Sequence, residues 1–507
     1  MFSTSPRSSV GELPFEILSH IFCFLRDMCI VHGKRLKLED AIVPWIQSAT
    51  HVCRHWRGAA LSCPQLWADL DDATLQHPLW RLAIYRSGLV PLHLSVNFPR
   101  IRDLGEFGTI MYDHGDRVRS LTLLSRVPSS GVVSVSKLER SVLNSSFQNL
   151  EDLEIDINYL TEEDQGGERD TYDCLFYGIP PRLTRLTLCA NAFTLSHPIY
   201  DNLTELTFRF VAGVVFLDAS ELGRRIEEMP RLRVLELHRV ILKGVPMTSR
   251  VSPPPSLRKF IMVFVHHDDL TLPTSIAPSP HLSFDLTHSR TCQPNSSPTV
   301  YDAFLGQHAG HDRMPRAYAL SFTRAKIHNR DTVSAVLRLF AEPGEPFLTF
   351  RRDFSEAEAA DADVVFAQLP CFGTHLSAIE EASIDSDAVD LWPALLHCTP
   401  RLRTLRLRCG AFVRIVGALL AAEAAGTRAL PDLRSVVIES WDFADREEAM
   451  RTMGGFMRWR RMREDRGAPL RMWEAPGGLL QMAEECCSER SLDALQPMRG
   501  DDDLTHL

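Results

Sequence analysis

The sequence predicts an α/β chain: a small helical module followed by an irregular solenoid, with parallel strands on one face and helices and loops on the other. Two observations carry this. Between Leu13 and Leu70 apolar residues recur at helical spacing. From Val118 onward a second pattern takes over: an apolar residue, two others, an apolar residue, one other, an apolar residue. It recurs down the chain, so one short unit is being repeated.

The first helix is predicted to start at Pro14, since proline suits the first turn and Glu16 places negative charge near the positive end of the helix dipole. Ile17, Leu18, Ile21, Phe22 and Leu25 then read as one apolar stripe. A polar insert is expected over Arg26 to Pro44, with Lys34, Arg35 and Lys37. A second helix is predicted through Trp45, Ala49, Val52, Trp56 and Ala59, ending at Pro64, because proline cannot continue a helix. Such a module is too small to bury all its apolar groups alone and calls for a partner surface.

Three blocks resemble the F-box family in the form common among fungal F-box and leucine-rich-repeat-like proteins. They are Leu13-Pro14-x-Glu16-Ile17-Leu18-x-x-Ile21-Phe22, Val52-Cys53-Arg54-x-Trp56-Arg57-x-x-Ala60-Leu61 and Pro64-x-Leu66-Trp67. The departure is the insert, longer than a minimal F-box needs. The resemblance implies docking on a Skp-type adaptor that links to a cullin ligase complex, through Leu13, Pro14, Ile17, Leu18, Ile21, Val52, Trp56 and Leu61. Trp56 is open to a second role, as the internal plug of the module.

The chain has 507 residues, 45% of them hydrophobic, and a formal net charge of −10. That balance argues against a general nucleic-acid or anionic-membrane binder, which needs a basic face. Neither a secretory leader nor a membrane span is expected: residues 1 to 12 lack an apolar core, and no apolar run approaches the required length. Twelve cysteines without a dense framework fit a reducing compartment, the cytoplasm or nucleus.

Residues 1–10 are expected to be a disordered terminus and 11–70 the F-box-like module. Residues 71–100 hold a connecting helix, Trp80 to Ser87 closed by Gly88, and a first strand at Pro91 to Val96. The repeat domain runs over 101–485, and 486–507 is a tail ending in Asp501-Asp502-Asp503.

The repeat core occurs at Val118/Leu121/Leu123, Leu150/Leu153/Ile155, Leu183/Leu186/Leu188, Leu203/Leu206/Phe208, Leu232/Leu235/Leu237 and Leu257/Phe260/Met262. It returns at Leu402/Leu405/Leu407 and Leu433/Val436/Ile438, and weakly at Ala317/Leu320/Phe322 and Ile379/Ala382/Ile384. Neighbouring copies begin 20 to 33 residues apart, straddling the periods of leucine-rich repeats, although the asparagine that usually follows the strand is missing. The alternative is a generic α/β domain with leucine-rich strands. An irregular Pro-rich joint is expected near 270–315, crossed by a possible strand at His281 to Leu286. Helices are expected at Glu356 to Phe366 and Asp445 to Arg466, the latter weakened by Gly454-Gly455 and carrying Arg458, Arg460, Arg461 and Arg463 on its solvated side.

Catalytic signatures are missing from the sequence: no Gly-x-Ser-x-Gly elbow, phosphate loop or dinucleotide fingerprint occurs. His266-His267-Asp268-Asp269 and His308-Ala309-Gly310-His311-Asp312 lack the paired cysteines of a structural zinc site, and Cys486-Cys487 cannot chelate like Cys-x-x-Cys. No enzyme activity, metal or cofactor is expected. The expected role is substrate recognition for an SCF-type ubiquitin ligase; the alternative is an F-box scaffold acting outside degradation. An unknown protein substrate would then meet the polar strand positions, acidic at Glu151 and Glu154, basic at Arg403, Arg406 and Arg408.

Overall fold

The computed structural model describes residues 13–36, 49–71, 80–97, 104–125, 146–157, 180–188, 195–209, 215–243, 250–264, 272, 275–277, 279, 281–288, 319–326, 332–340, 346, 348–355, 376–385, 395–396, 398–425, 430–439 and 446–488. The chain divides into two compact units, Met1–Val240 with Pro254–Ser256, and Ile241–Pro253 with Leu257–Leu507.

In the first unit, helix α1 (Phe15–Leu36) starts where the sequence places it, the Leu18 amide donating to the Pro14 carbonyl at 3.1 Å. It does not stop at Arg26. The expected polar insert is helical through Leu36, because Arg26 is not a helix end but a brace: its guanidinium bonds the Gln65 carbonyl and pairs with Asp69, each at 2.6 Å. The expected second helix is interrupted: Ala49 and Thr50 are helical, but the helix does not run on unbroken into the next turn. The chain bends at His51–Val52, extended Cys53 caps α2 (Arg54–Ser62), and its sulfur accepts from the Trp56 amide at 3.4 Å. Pro64 then opens a 3-10 turn, Pro64–Trp67, that leads into β1 (Asp69–Leu70).

Helix α3 (Trp80–Arg86) closes on Gly88, whose φ of +54° suits glycine, and is followed by β2 (Leu92–Asn97) and α4 (Leu104–His114). The repeat motifs then become β3 (Val118–Ser125), β4 (Asp152–Ile157), β5 (Arg185–Leu188) and β6 (Glu205–Arg209). After β7 (Val215–Asp218) and α5 (Ala219–Glu227), capped by the Asp218 carboxylate, comes β8 (Val234–His238). Strands β1, β2, β3, β4, β5, β6 and β8 pair in that order, all parallel. The register aligns Leu121, Leu153, Leu186, Leu206 and Leu235, all buried, so a one-residue slip would turn every leucine outward.

Several copies share a lead-in, Met229-Pro230-Arg231-Leu232, Thr399-Pro400-Arg401-Leu402 and Leu430-Pro431-Asp432-Leu433, and the start of the strand that follows has a recurrent bonding pattern. Two successive amides at the start of a strand donate to one carbonyl of the preceding copy. Thr184 and Arg185 donate to Glu151, Thr204 and Glu205 to Thr184, and Arg233 and Val234 to Thr204, at 2.7 to 3.1 Å.

In the second unit, β9 (Val240–Lys243) lies at the division and β10 (Lys259–Phe264) pairs in parallel with β11 (Ser283–His288), the strand expected to cross the joint. The remaining strands are β12 (Ala319–Lys326), β13 (Thr332–Phe340), β14 (Leu348–Ser355), β15 (Glu381–Asp385), β16 (Thr404–Leu407), β17 (Ser435–Ile438) and β18 (Met472–Glu474). Their order is β10, β11, β14, β13, β12, β15, β16, β17, β18. An all-parallel arrangement is therefore corrected: β13 runs antiparallel to both β12 and β14. The connections on either side of β13, residues 327–331 and 341–347, are too short for a parallel crossover, which takes a dozen or more residues. From β15 onward parallel pairing and the shared-carbonyl lead-in return, Arg403 and Thr404 donating to Glu380, then Arg434 and Ser435 to Arg403.

Helices α6 (Cys409–Ala424), α7 (Arg446–Asp465) and α8 (Gly477–Ser488) complete this unit. Gly455 lets α7 approach α6, since a β-carbon there would sit 3.0 Å from Val416 Cγ1. Arg463, expected on the solvated side, is instead buried and donates to the carbonyls of Leu430, Leu433 and Ala468 at 2.9 to 3.2 Å. No helix among the described residues is long and apolar enough to cross a membrane. Glu356 to Phe366, both histidine clusters and the terminal aspartates lie outside the described residues, while Cys486 and Cys487 fall within α8.

Candidate functional site

Successive residues on a helix are 100° apart, so the apolar residues of α1 split into two stripes rather than one. Leu18 and Phe22 turn inward and are 0% and 1% exposed. The Phe22 ring meets Trp56 of α2 at 5.2 Å between centroids, edge to face. Ile17, Ile21 and Phe24 turn outward and are 47%, 42% and 67% exposed. Exposed Phe15 and Val52 add to the apolar surface of the module.

Of the residues that the resemblance assigns to the adaptor, Ile17, Ile21, Val52 and Pro14 are exposed, while Leu13, Trp56 and Leu61 are half-buried. Leu18 is a correction: it is sealed inside the module and presents nothing to a partner. Trp56 packs on Phe22, the plug position that the sequence left open. Phe15 and Phe24 were not singled out in the sequence, although Phe24 continues the i, i+4, i+7 spacing of Ile17 and Ile21.

The module is braced by polar contacts from beneath. His55 Nε2 lies 2.8 Å from the Leu13 carbonyl oxygen, and the Arg57 guanidinium donates to the Thr50 carbonyl at 2.8 Å, across the bend before α2. Trp67 is buried and donates from its indole to the Ala60 carbonyl, and Arg86 of α3 lies over its ring while bonding the Leu61 carbonyl. Cys23 is a poor nucleophile, its thiol pushed up by a hydrogen bond to Cys63 and by burial. These contacts tie α2 to the residues before α1, to the 3-10 turn that follows it and to α3.

The polar faces of the two units carry the residues expected to meet a substrate. Glu151 pairs with Arg119 at 2.8 Å, and Glu154 sits half-buried in a cross-strand row with Thr122, Thr187 and Thr207. Arg403 pairs with Glu380 at 2.7 Å and Arg408 with Glu439 at 3.5 Å. Exposed Arg406 stands in register with Ser383 on one side and Val437 on the other. Cross-strand pairing thus neutralises much of the acidic and basic character read from sequence. Glu154 and Arg406 make no ion pair among the described residues.

Among the described residues no cluster of histidine, cysteine and carboxylate side chains is arranged to hold a metal ion. Residues 10–73 match the F-box-like family model, so the chain carries an F-box-like domain there. No curated protein matches the chain.

Proposed function

We propose that this chain is the substrate-recognition subunit of an SCF-type cullin ubiquitin ligase. Its F-box-like domain docks a Skp-type adaptor through the outward stripe of α1 and the start of α2, and its leucine-rich parallel strands, read as a degenerate leucine-rich-repeat domain of the fungal type, hold a protein substrate. One observation carries this reading: within a domain matching the F-box-like family, Ile17, Ile21, Phe24 and Val52 are exposed on a framework whose own core is already filled by Leu18, Phe22 and Trp56. Large exposed apolar residues on a braced surface mark a protein interface.

The chain's contribution is positional. Holding a substrate beside the charged ubiquitin carrier raises its effective concentration, and the bond-making groups belong to other subunits. The chain itself is not an enzyme in this reading, needs no cofactor, binds neither nucleic acid nor membrane, and works in the cytoplasm or nucleus. Of the charged strand positions expected to meet a substrate, Glu154 and Arg406 make no ion pair among the described residues and are the ones offered to it.

Co-purification of the full chain with adaptor and cullin tests the assignment. The complex forms with the intact chain and is lost when residues 11–70 are deleted; an intact chain that recovers neither subunit rejects it.

A further inference from the structure

Away from the α1 stripe, the first unit holds a groove of about 960 Å³ between α3 and α4. Trp80, Ile84 and Tyr85 line it from α3, Thr109 and Ile110 from α4, and Arg117 from the turn beyond. Of these, Tyr85 is 83% exposed and leaves its ring open to a partner. Aromatic residues and arginine around a concavity are the composition of an interaction hot spot.

Arg117 supplies the polar specificity. Its guanidinium donates to two neutral acceptors, Ser87 Oγ and the Val90 carbonyl, both at 2.9 Å, and it makes no ion pair among the described residues. Its Nε is shielded from solvent with no hydrogen-bond partner. Burial lowers this guanidinium, and neighbouring Asp116 opposes that effect only in part. A partly desolvated cation that is hydrogen-bonded only to neutral acceptors gains from an incoming carboxylate. Arg81 adds a second positive charge and Asp113 is the one acid among the described lining residues, so these residues together carry a net positive balance.

We infer that the α3–α4 groove docks an acidic peptide segment of a partner protein, an aspartate or glutamate meeting Arg117 and a neighbouring apolar side chain packing on Tyr85 and Ile110. This surface is separate from the F-box stripe and stands whether or not the ligase reading does.

The test is selection of a phage-displayed random dodecapeptide library on the immobilised full chain, followed by fluorescence anisotropy with the enriched peptides. Arg117 also braces Ser87 and Val90, so the variants are Tyr85→Ala and Thr109→Glu, both at exposed positions. Enriched peptides are expected to carry aspartate or glutamate beside leucine or an aromatic residue. Their affinity should fall at least tenfold in either variant and on exchange of the peptide's acids for amides, and be unchanged by Ile17→Ser. Failure to enrich any peptide, enrichment of basic or uncharged peptides, or binding indifferent to both variants overturns the inference.

Discussion

The rings of Phe22 on α1 and Trp56 on α2 meet edge to face with centroids 5.2 Å apart and planes at 61°. That contact separates the two stripes of α1: one closes the module, and the other is left to a partner. Two residues adjacent in sequence should therefore behave oppositely.

Leu18→Ala removes a fully buried side chain and is expected to cost about 2–5 kcal/mol, whereas Ile17→Ala, at an exposed position, should stay within about 0.5 kcal/mol. Hydrogen exchange of the amides from Phe15 to Leu36 reads this locally. Faster exchange in Leu18→Ala alone is the expected result; equal exchange in the two variants would show that the stripes are misassigned.

Gly454 and Gly455 are neighbours on α7 with unequal surroundings. A β-carbon at Gly454 meets nothing within 4 Å, so Gly454→Ala should gain up to about 1 kcal/mol from helix propensity. At Gly455 the same methyl meets Val416 Cγ1 at 3.0 Å and Leu420 Cδ1 at 3.3 Å, and the crowding offsets that gain. Urea unfolding should rank Gly454→Ala above Gly455→Ala; the reverse order would contradict the packing of α7 on α6.

Arg463→Lys keeps the charge but not the fork that reaches the Leu430, Leu433 and Ala468 carbonyls. Leaving buried acceptors unpaired should cost about 1–3 kcal/mol. A Tm equal to that of the native chain would mean that the buried guanidinium is dispensable.

Glu228 is held below the ordinary carboxylate value of 4.5 by Arg225 first and by Arg224. A depressed folded value makes its ionised form stabilising above that range, and the contribution is lost as pH falls through the folded value. The Tm difference between the native chain and Glu228→Gln should thus be present near neutrality and vanish in acid. A difference that persists or grows in acid would reverse the sign.

The leucine-rich strands were legible because period-two alternation and the shared lead-in fix both their existence and their register, as at Leu153 and Leu186. The β13–β14 hairpin was not: neither Thr332 to Phe340 nor Leu348 to Ser355 carries the repeat spacing, and antiparallel pairing is decided by connection length and not by composition. At the candidate site the anchors were legible and their facing was not. Ile17 and Leu18 are chemically alike and adjacent, and only the position of Trp56 shows which one is enclosed. Arg26 looked like the end of a helix because its partner, Asp69, lies 43 positions further along the chain. The same holds for Arg463, two of whose carbonyl partners, Leu430 and Leu433, lie 33 and 30 positions earlier.

The central claim is that the outward stripe of α1 holds the adaptor. Titration calorimetry of a purified Skp-type adaptor against the full chain and against Ile17→Ser with Ile21→Ser measures it directly. Affinity is expected to fall by at least about tenfold, or about 1.4 kcal/mol, while exchange protection of α1 is retained. Unchanged affinity with α1 intact would contradict the account.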